Sequence, residues 1–138
     1  MTGGTGFIGS HVLRQLVKME YDAIAFDYLP DTKPIADIAD QIKVVKGDIR
    51  YFSDIIDTIK KYDVMYIIHT ASLLTRDCQK RPLTALKINV EGTVNILEAA
   101  RLMDIAQVVY TSSTAVYGYT EPGKIIDEEH PKRPVTIY

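Results

Sequence analysis

Glycines stand at positions 3, 6 and 9 of the opening stretch Met1-Thr2-Gly3-Gly4-Thr5-Gly6-Phe7-Ile8-Gly9, directly before a helical pattern. Gly3 and Gly6 let the backbone turn tightly and approach a phosphate with no Cβ in the way, while Gly9 allows close helix packing. The free N–H groups of the helix start then face the anion. The chemistry that suits such a turn is the holding of a dinucleotide's diphosphate; the plainer alternative is a loop before a helix. Asp27 lies 18 residues beyond Gly9, about where an acidic side chain accepts hydrogen bonds from an adenosine ribose. A carboxylate there repels a 2′-phosphate and no arginine follows it, so NAD is favoured over NADP; the alternative is a loop aspartate. Asp48 and Ile49 follow a later strand, where they either border an adenine or, in the case of Asp48, form a turn after Gly47.

These residues need a scaffold, and the hydrophobic pattern supplies one. Ile8, Val12, Leu13, Leu16 and Val17 recur at helical spacing between residues 7 and 19. Residues 22–27, 42–46, 64–68 and 107–111 read as four short strands. Residues 35–41 suit one or two helical turns, and Phe52, Ile55, Ile56 and Ile59 predict a helix over 52–62, with Ser53 as a candidate cap. Residues 82–103 form the longest periodic segment, with Leu83, Leu86, Val90, Val94, Leu97 and Ala100 on one stripe and a proline near its start. Residues 121–138 read as a surface loop. Strands alternating with helices predict an α/β, doubly wound parallel sheet of the Rossmann type. A glycine turn of this kind should follow a strand, and only Met1 and Thr2 precede Gly3, so the first strand is expected to be absent. A valine is the residue expected at position 1, and a late-started gene model or a fragment would explain the gap.

The composition narrows the partners. The chain has 138 residues, 46% of them hydrophobic, which is enough for one domain with a core. Sixteen basic against 18 acidic residues give a formal charge of -2, with no electrostatic reason to expect nucleic acid or an anionic membrane. A small molecule is the expected partner. The single cysteine, Cys78, excludes an internal disulfide framework and suits a reducing compartment, and no signal peptide or long apolar run is visible, so a cytoplasmic location is expected. No metal site is expected.

Four segments occur in order: Thr2-Gly3-Gly4-Thr5-Gly6-Phe7-Ile8-Gly9-Ser10-His11, Gly47-Asp48-Ile49-Arg50, Asn89-Val90-Glu91-Gly92-Thr93 and Thr111-Ser112-Ser113-Thr114-Ala115-Val116-Tyr117-Gly118. Together they resemble the extended short-chain dehydrogenase/reductase superfamily, specifically its NAD-dependent epimerase/dehydratase branch, over essentially the whole chain. The resemblance implies an NAD-binding domain, here residues 1–138 and incomplete, followed by a smaller substrate domain that this sequence lacks. It implies that Gly3, Gly6, Gly9, Phe7 and Ile8 lie against the diphosphate, that Asp27 binds the ribose and that Asp48 and Ile49 flank the adenine. Thr70, Ala71 and Ser72 would line the nicotinamide half, with Asn89 beside them. His69 ends a strand facing this cleft and reads better as a packing or hydrogen-bonded histidine than as a base. Cys78 has no partner base and reads as incidental.

In that superfamily the reaction depends on a tyrosine, a lysine four residues later and a serine or threonine. Ser113 matches the hydroxyl and Tyr138 lies 25 residues on, close to the superfamily's separation. Both would also border the cofactor. A free tyrosine has a pKa of about 10, so a phenolate base near neutrality needs neighbouring positive charge, which the oxidised nicotinamide and the lysine would supply. The phenolate takes a proton from a substrate hydroxyl as hydride leaves the adjacent carbon for NAD, and Ser113 holds the same oxygen. Tyr117 and Tyr119 are the alternatives to Tyr138, though Tyr117 belongs to a signature whose tyrosine more often packs. Thr114 and Ala115 stand where a dehydratase would carry an acidic pair, which favours epimerisation. The leading expectation is the NAD domain of an enzyme acting on a nucleotide sugar; a dehydrogenase of a non-sugar alcohol, threonine-dehydrogenase-like, and a non-catalytic NAD-binding regulator are the alternatives. The parent enzyme is expected to be a homodimer, its long helix from Pro82 resembling one used for pairing. The 138-residue chain alone is expected to be inactive and to bind NAD weakly.

Overall fold

Alanine and β-branched residues in short runs, each bounded by charge or glycine, build strands that stack side by side, and the helices between them cover the two faces. The structure, a computed structural model, describes residues 1–120, 123 and 125–138. Helix α1 (Phe7–Lys18) leads into strand β1 (Ala23–Asp27); a 3₁₀ segment (Lys33–Gln41) leads into β2 (Ile42–Lys46), and α2 (Phe52–Tyr62) into β3 (Tyr66–His69). After β3 come α3 (Thr75–Lys80), α4 (Pro82–Ala85), a π-helical turn (Leu86–Gly92), α5 (Thr93–Leu102), β4 (Gln107–Tyr110) and a 3₁₀ turn (Thr114–Tyr117).

The strands are parallel. β1 pairs with β2 in the register Ala23 to Ile42, and β3 pairs with β4 in the register Tyr66 to Gln107. The two pairs are joined through Thr2, which bridges Phe26 on one side and His69 on the other. Met1 and Thr2 thus stand at the sheet position of the strand that the glycine turn should follow. Met1 and Thr2 take part in the ladder through Phe26 N–H to Met1 O at 2.9 Å and Thr2 N–H to Ile68 O at 2.9 Å. The resulting order, β2-β1-Thr2-β3-β4, has the doubly wound pattern expected from the alternation of elements.

Side chains on β1 alternate between two cores. Ala23 and Ala25 join Leu13, Ile35, Ile38 and Ile42 under α1 and the 3₁₀ segment, whereas Phe26 joins Ile49, Ile55, Ile59, Ile67, Ile96, Ala99 and Ala100 under α2 and α5. At the outer edge β2 carries Lys43 and Lys46, charges that discourage further strand pairing.

The segment from Pro82 departs from expectation. It is not one regular helix but two α-helical pieces joined by the π turn, and of the periodic stripe only Ala100 is buried. Leu83, Leu86, Val90, Val94 and Leu97 face outward, while Ala85, Gly92, Ile96, Ala99 and Ala100 face the sheet. The helix is apolar on two faces, and the sheet selects the smaller side chains: a Cβ on Gly92 would lie 2.6 Å from Ile49 Cδ1. Ser53 does not cap α2. Tyr51 holds the cap position without a side-chain bond, and Asp54 in the first turn accepts Asp48 N–H at 3.0 Å. Helix α3, which buries Cys78, was not foreseen. The loop reading of 121–138 falls partly on residues 121, 122 and 124, which lie outside the described residues; the rest is turns and irregular chain.

Candidate functional site

The glycine turn sits at the carboxyl ends of β1 and β3, in the middle of the sheet. Gly3 has φ of +66°, a conformation that favours glycine, and its N–H donates to Phe26 O at 2.9 Å. Close approach constrains two others. A Cβ on Gly4 would lie 2.7 Å from Ala25 Cα, and one on Gly9 would lie 2.1 Å from Gly3 O. Gly4 has no role in the sequence reading, although a Cβ there meets backbone nearly as closely as one on Gly9. Gly6 is exposed and occupies the N-cap of α1, where no side chain caps the helix and no acidic residue stands in the first turn. Phe7 and Ile8 open the helix with their apolar side chains exposed, Phe7 by 81%. An uncapped helix start beside a turn that excludes Cβ atoms fits a diphosphate.

Asp27 is the last residue of β1 and turns toward this loop. Its Oδ2 accepts from both Thr5 N–H at 3.1 Å and Thr5 Oγ1–H at 2.7 Å, which leaves Oδ1 for another donor. Thr5 had no role in the sequence reading; the only available signal was a hydroxyl within the turn. Asp31 N–H lies 3.4 Å from the same Thr5 oxygen and ties the next loop to it.

Asp48 is buried and committed to Arg50. Its Oδ1 accepts Arg50 N–H at 3.0 Å and Nε–H at 3.0 Å, and its Oδ2 accepts Nε–H and an Nη2 proton. Burial alone would raise this carboxyl; the hydrogen bonds and charge of Arg50 outweigh it and hold the pKa below its usual value. The Arg50 guanidinium lies 5.4 Å from the Tyr28 ring centre and 6.0 Å from that of Tyr51. Ile49 puts its side chain in the core against Gly92, so its backbone is what remains for a ligand, and Asn95 Nδ2 already donates to its carbonyl at 3.0 Å.

After β3 the chain runs beside the glycine turn. Thr70 Oγ1 donates to Thr2 O at 2.9 Å, Ala71 is half-buried and Ser72 is exposed. Asn89, in the π turn, holds this segment from beneath: its Oδ1 accepts Leu73 N–H at 2.8 Å and its Nδ2 donates to Leu73 O at 3.0 Å. His69 is buried and hydrogen-bonded on both ring nitrogens, to Thr2 Oγ1 at 2.6 Å and Thr93 Oγ1 at 3.0 Å. Burial, with a smaller contribution from the nearby amino terminus, lowers its pKa to about 4. Cys78 is fully buried, with its Sγ donating to Leu73 O at 3.2 Å.

Ser113 follows β4 and caps the 3₁₀ turn, accepting Ala115 N–H at 3.1 Å, which leaves its own O–H to donate. Thr111 N–H donates to His69 O at 3.2 Å and keeps this loop next to β3. Tyr138 is half-buried, and among the described residues no hydrogen bond joins it to Ser113. Tyr117 packs edge-on against His130 at 5.8 Å, and Tyr119 is exposed. The turn, Asp27, the 70–72 segment and the loop bearing Ser113 therefore share one end of the sheet.

The sequence profile of the NAD dependent epimerase/dehydratase family matches residues 1–138. The chain belongs to that family. Within it, a putative UDP-glucose 4-epimerase of Methanocaldococcus jannaschii is 40% identical over 141 residues, covering 100% of this chain and 45% of that protein. The decarboxylating sterol-4-alpha-carboxylate 3-dehydrogenase of Schizosaccharomyces pombe is 34% identical over 117 residues, covering 82% of this chain and 33% of its own length. The crystal structure of Thermus thermophilus UDP-glucose 4-epimerase in complex with NAD superposes with a TM-score of 0.92 at 25% identity, covering 99% of this chain and 44% of the other. This family member therefore spans less than half the length of these relatives. No helix among its described residues is long and apolar enough to cross a membrane.

Proposed function

We propose that this chain is the NAD-binding part of a sugar-nucleotide epimerase or dehydratase whose substrate domain lies outside these 138 residues. One observation carries the reading: the diphosphate turn and Asp27 meet at the sheet end reached also by Thr70, Ala71, Ser72 and the Ser113 loop. Gly3, Gly6, Gly9 and the uncapped start of α1, with Phe7 and Ile8, hold the diphosphate. Asp27 accepts the adenosine ribose hydroxyls through Oδ1 while Thr5 fixes Oδ2, and its charge disfavours a 2′-phosphate. Asp48 acts at the adenine end mainly by orienting Arg50, with Ile49 contributing backbone. Thr70, Ala71 and Ser72 border the nicotinamide half, and Asn89 keeps that segment in place through Leu73.

When bound, NAD supplies a hydride acceptor and donor. Ser113 holds the substrate oxygen through its O–H, and Tyr138 removes the proton from that oxygen, its phenolate favoured by the positive charge of the oxidised nicotinamide. Thr114 and Ala115 in place of an acidic pair favour epimerisation over dehydration. A second reading, the NAD-dependent dehydrogenation of a non-sugar alcohol, is supported by the 34% identity to the sterol dehydrogenase. The exposed stripe of Leu83, Leu86, Val90, Val94 and Leu97 suits pairing of two copies of the parent enzyme, and the cytoplasm is the expected compartment.

Titration of the 138-residue chain with NAD by calorimetry tests the cofactor role: binding weaker than micromolar is expected, reduced further by Asp27→Ala, and no heat at millimolar NAD would end the reading. Product analysis of the full-length enzyme separates the two chemistries, since an epimerase gives no net NADH and a dehydrogenase gives one per turnover.

A further inference from the structure

Neither the diphosphate turn nor the proton-transfer pair uses the buried imidazole between them. We propose that His69 is a positioning residue: as the neutral tautomer protonated on Nε2, it joins the glycine turn to the segment after β3 through a hydrogen-bond chain of fixed direction.

The direction follows from one hydroxyl. Thr93 Oγ1 lies 2.8 Å from Asn89 O, a carbonyl that can only accept, so the single Thr93 hydroxyl proton is committed there. The 3.0 Å contact between Thr93 Oγ1 and His69 Nε2 must then be donated by the ring. A neutral ring protonated on Nε2 has a bare Nδ1, and Thr2 Oγ1 donates to it across 2.6 Å. The Thr2 oxygen accepts in turn from Ala71 N–H at 3.4 Å, the weakest link. The chain therefore runs from Ala71 through Thr2, His69 and Thr93 to the carbonyl of Asn89.

Asn89 closes the circuit, because its side chain grips both backbone groups of Leu73. Thr2 precedes Gly3, and a Cβ on Gly3 would lie 3.0 Å from Ala71 N, so the two segments already touch. Two walls of the cleft are thus referred to one ring. An imidazolium would present two donors and displace the Thr2 proton. The surroundings oppose that state: His69 is 1% exposed and Tyr110 stacks on its ring at 5.5 Å.

The consequence for NAD rests on the cofactor reading above: diphosphate and nicotinamide halves are bound by parts of the chain that hold each other in register. Long-range ¹H–¹⁵N spectra of the chain labelled at histidine read the ring directly. His69 is expected to show a protonated Nε2 and a bare Nδ1 at neutral pH. Thr93→Val, which removes a hydroxyl on the core side of the ring, should shift the Ala71 and Leu73 amide signals and speed their exchange. It should also weaken NAD binding about tenfold, the equivalent of one net hydrogen bond, while Thr93→Ser restores all three. A ring protonated on Nδ1, or a Thr93→Val chain with unchanged Ala71 and Leu73 amides, overturns the proposal. Failure of the unmodified chain to bind NAD counts against the cofactor reading instead, and the ring and amide measurements still decide the role of His69.

Discussion

Replacing His69 by glutamine should flatten the acid limb of the stability curve. In the folded chain the imidazole resists protonation down to a pKa of about 4, whereas in the unfolded chain it takes a proton near its ordinary 6.5. Over that window the unfolded state binds more protons, so stability falls as pH falls and is fully present only above 6.5. The whole penalty is roughly 3 kcal/mol, of which about 2 kcal/mol accrues between pH 6 and pH 4. The buried Met1 amine, lowered by desolvation from 8.0 to about 6, acts with the same sign at higher pH and is common to both proteins. So are the carboxyls of Asp37, Asp48 and Glu98, each held below its usual value mainly by an arginine partner. Urea unfolding at pH 6, 5 and 4 should therefore show the midpoint of the unmodified chain dropping by on the order of 1 M more than that of His69→Gln. The glutamine chain will start lower, because at least one buried hydrogen bond is lost, but the difference in slope is the measurement. Parallel curves would mean that His69 is protonated as easily in the fold as out of it, and the buried neutral ring would have to be abandoned.

Four other outcomes are expected. Gly9→Ala places a methyl against the Gly3 carbonyl and should cost about 1–3 kcal/mol and abolish measurable NAD binding; affinity within twofold of the unmodified chain would clear the turn of any tight constraint. Thr5→Val removes the Oγ1 bond to Asp27 but not the amide bond, so NAD affinity should fall less than the order of tenfold expected for Asp27→Asn, and the reverse ranking would contradict the tether. Ile96→Ala should destabilise the chain by about 2–4 kcal/mol, whereas Val94→Ala two residues away should change stability by less than about 0.5 kcal/mol, as read by denaturant unfolding. In the full-length enzyme Ser113→Ala and Tyr138→Phe should each lower turnover by roughly 10²- to 10⁴-fold with little change in NAD affinity, and near-normal turnover in the tyrosine variant would transfer the base to another residue.

The elements nearest their sequence-based limits are those with one apolar face and clear stops. Residues 42–46 and 52–62 match β2 and α2 because charge, glycine and aspartate bound runs whose period is unambiguous. The stripe from Leu83 to Leu97 is periodic, yet its period does not say that it faces away from the sheet. A helix apolar on two faces carries no periodic signal for which of them the sheet will choose, and the choice fell on the face with Gly92, whose missing Cβ lets the backbone approach Ile49.

Spacing alone determined that three glycines precede a helix, that an acidic residue ends the strand after it, and that the chain alternates strand and helix. Those are local or periodic properties, written in residues close together. Which oxygen of Asp27 is occupied, that Asp48 serves Arg50, and that Thr2, His69 and Thr93 form a directed chain were decided by packing. Hydrogen-bond direction between residues tens of positions apart exists only once the fold has brought the donors and acceptors within about 3 Å and buried them from water.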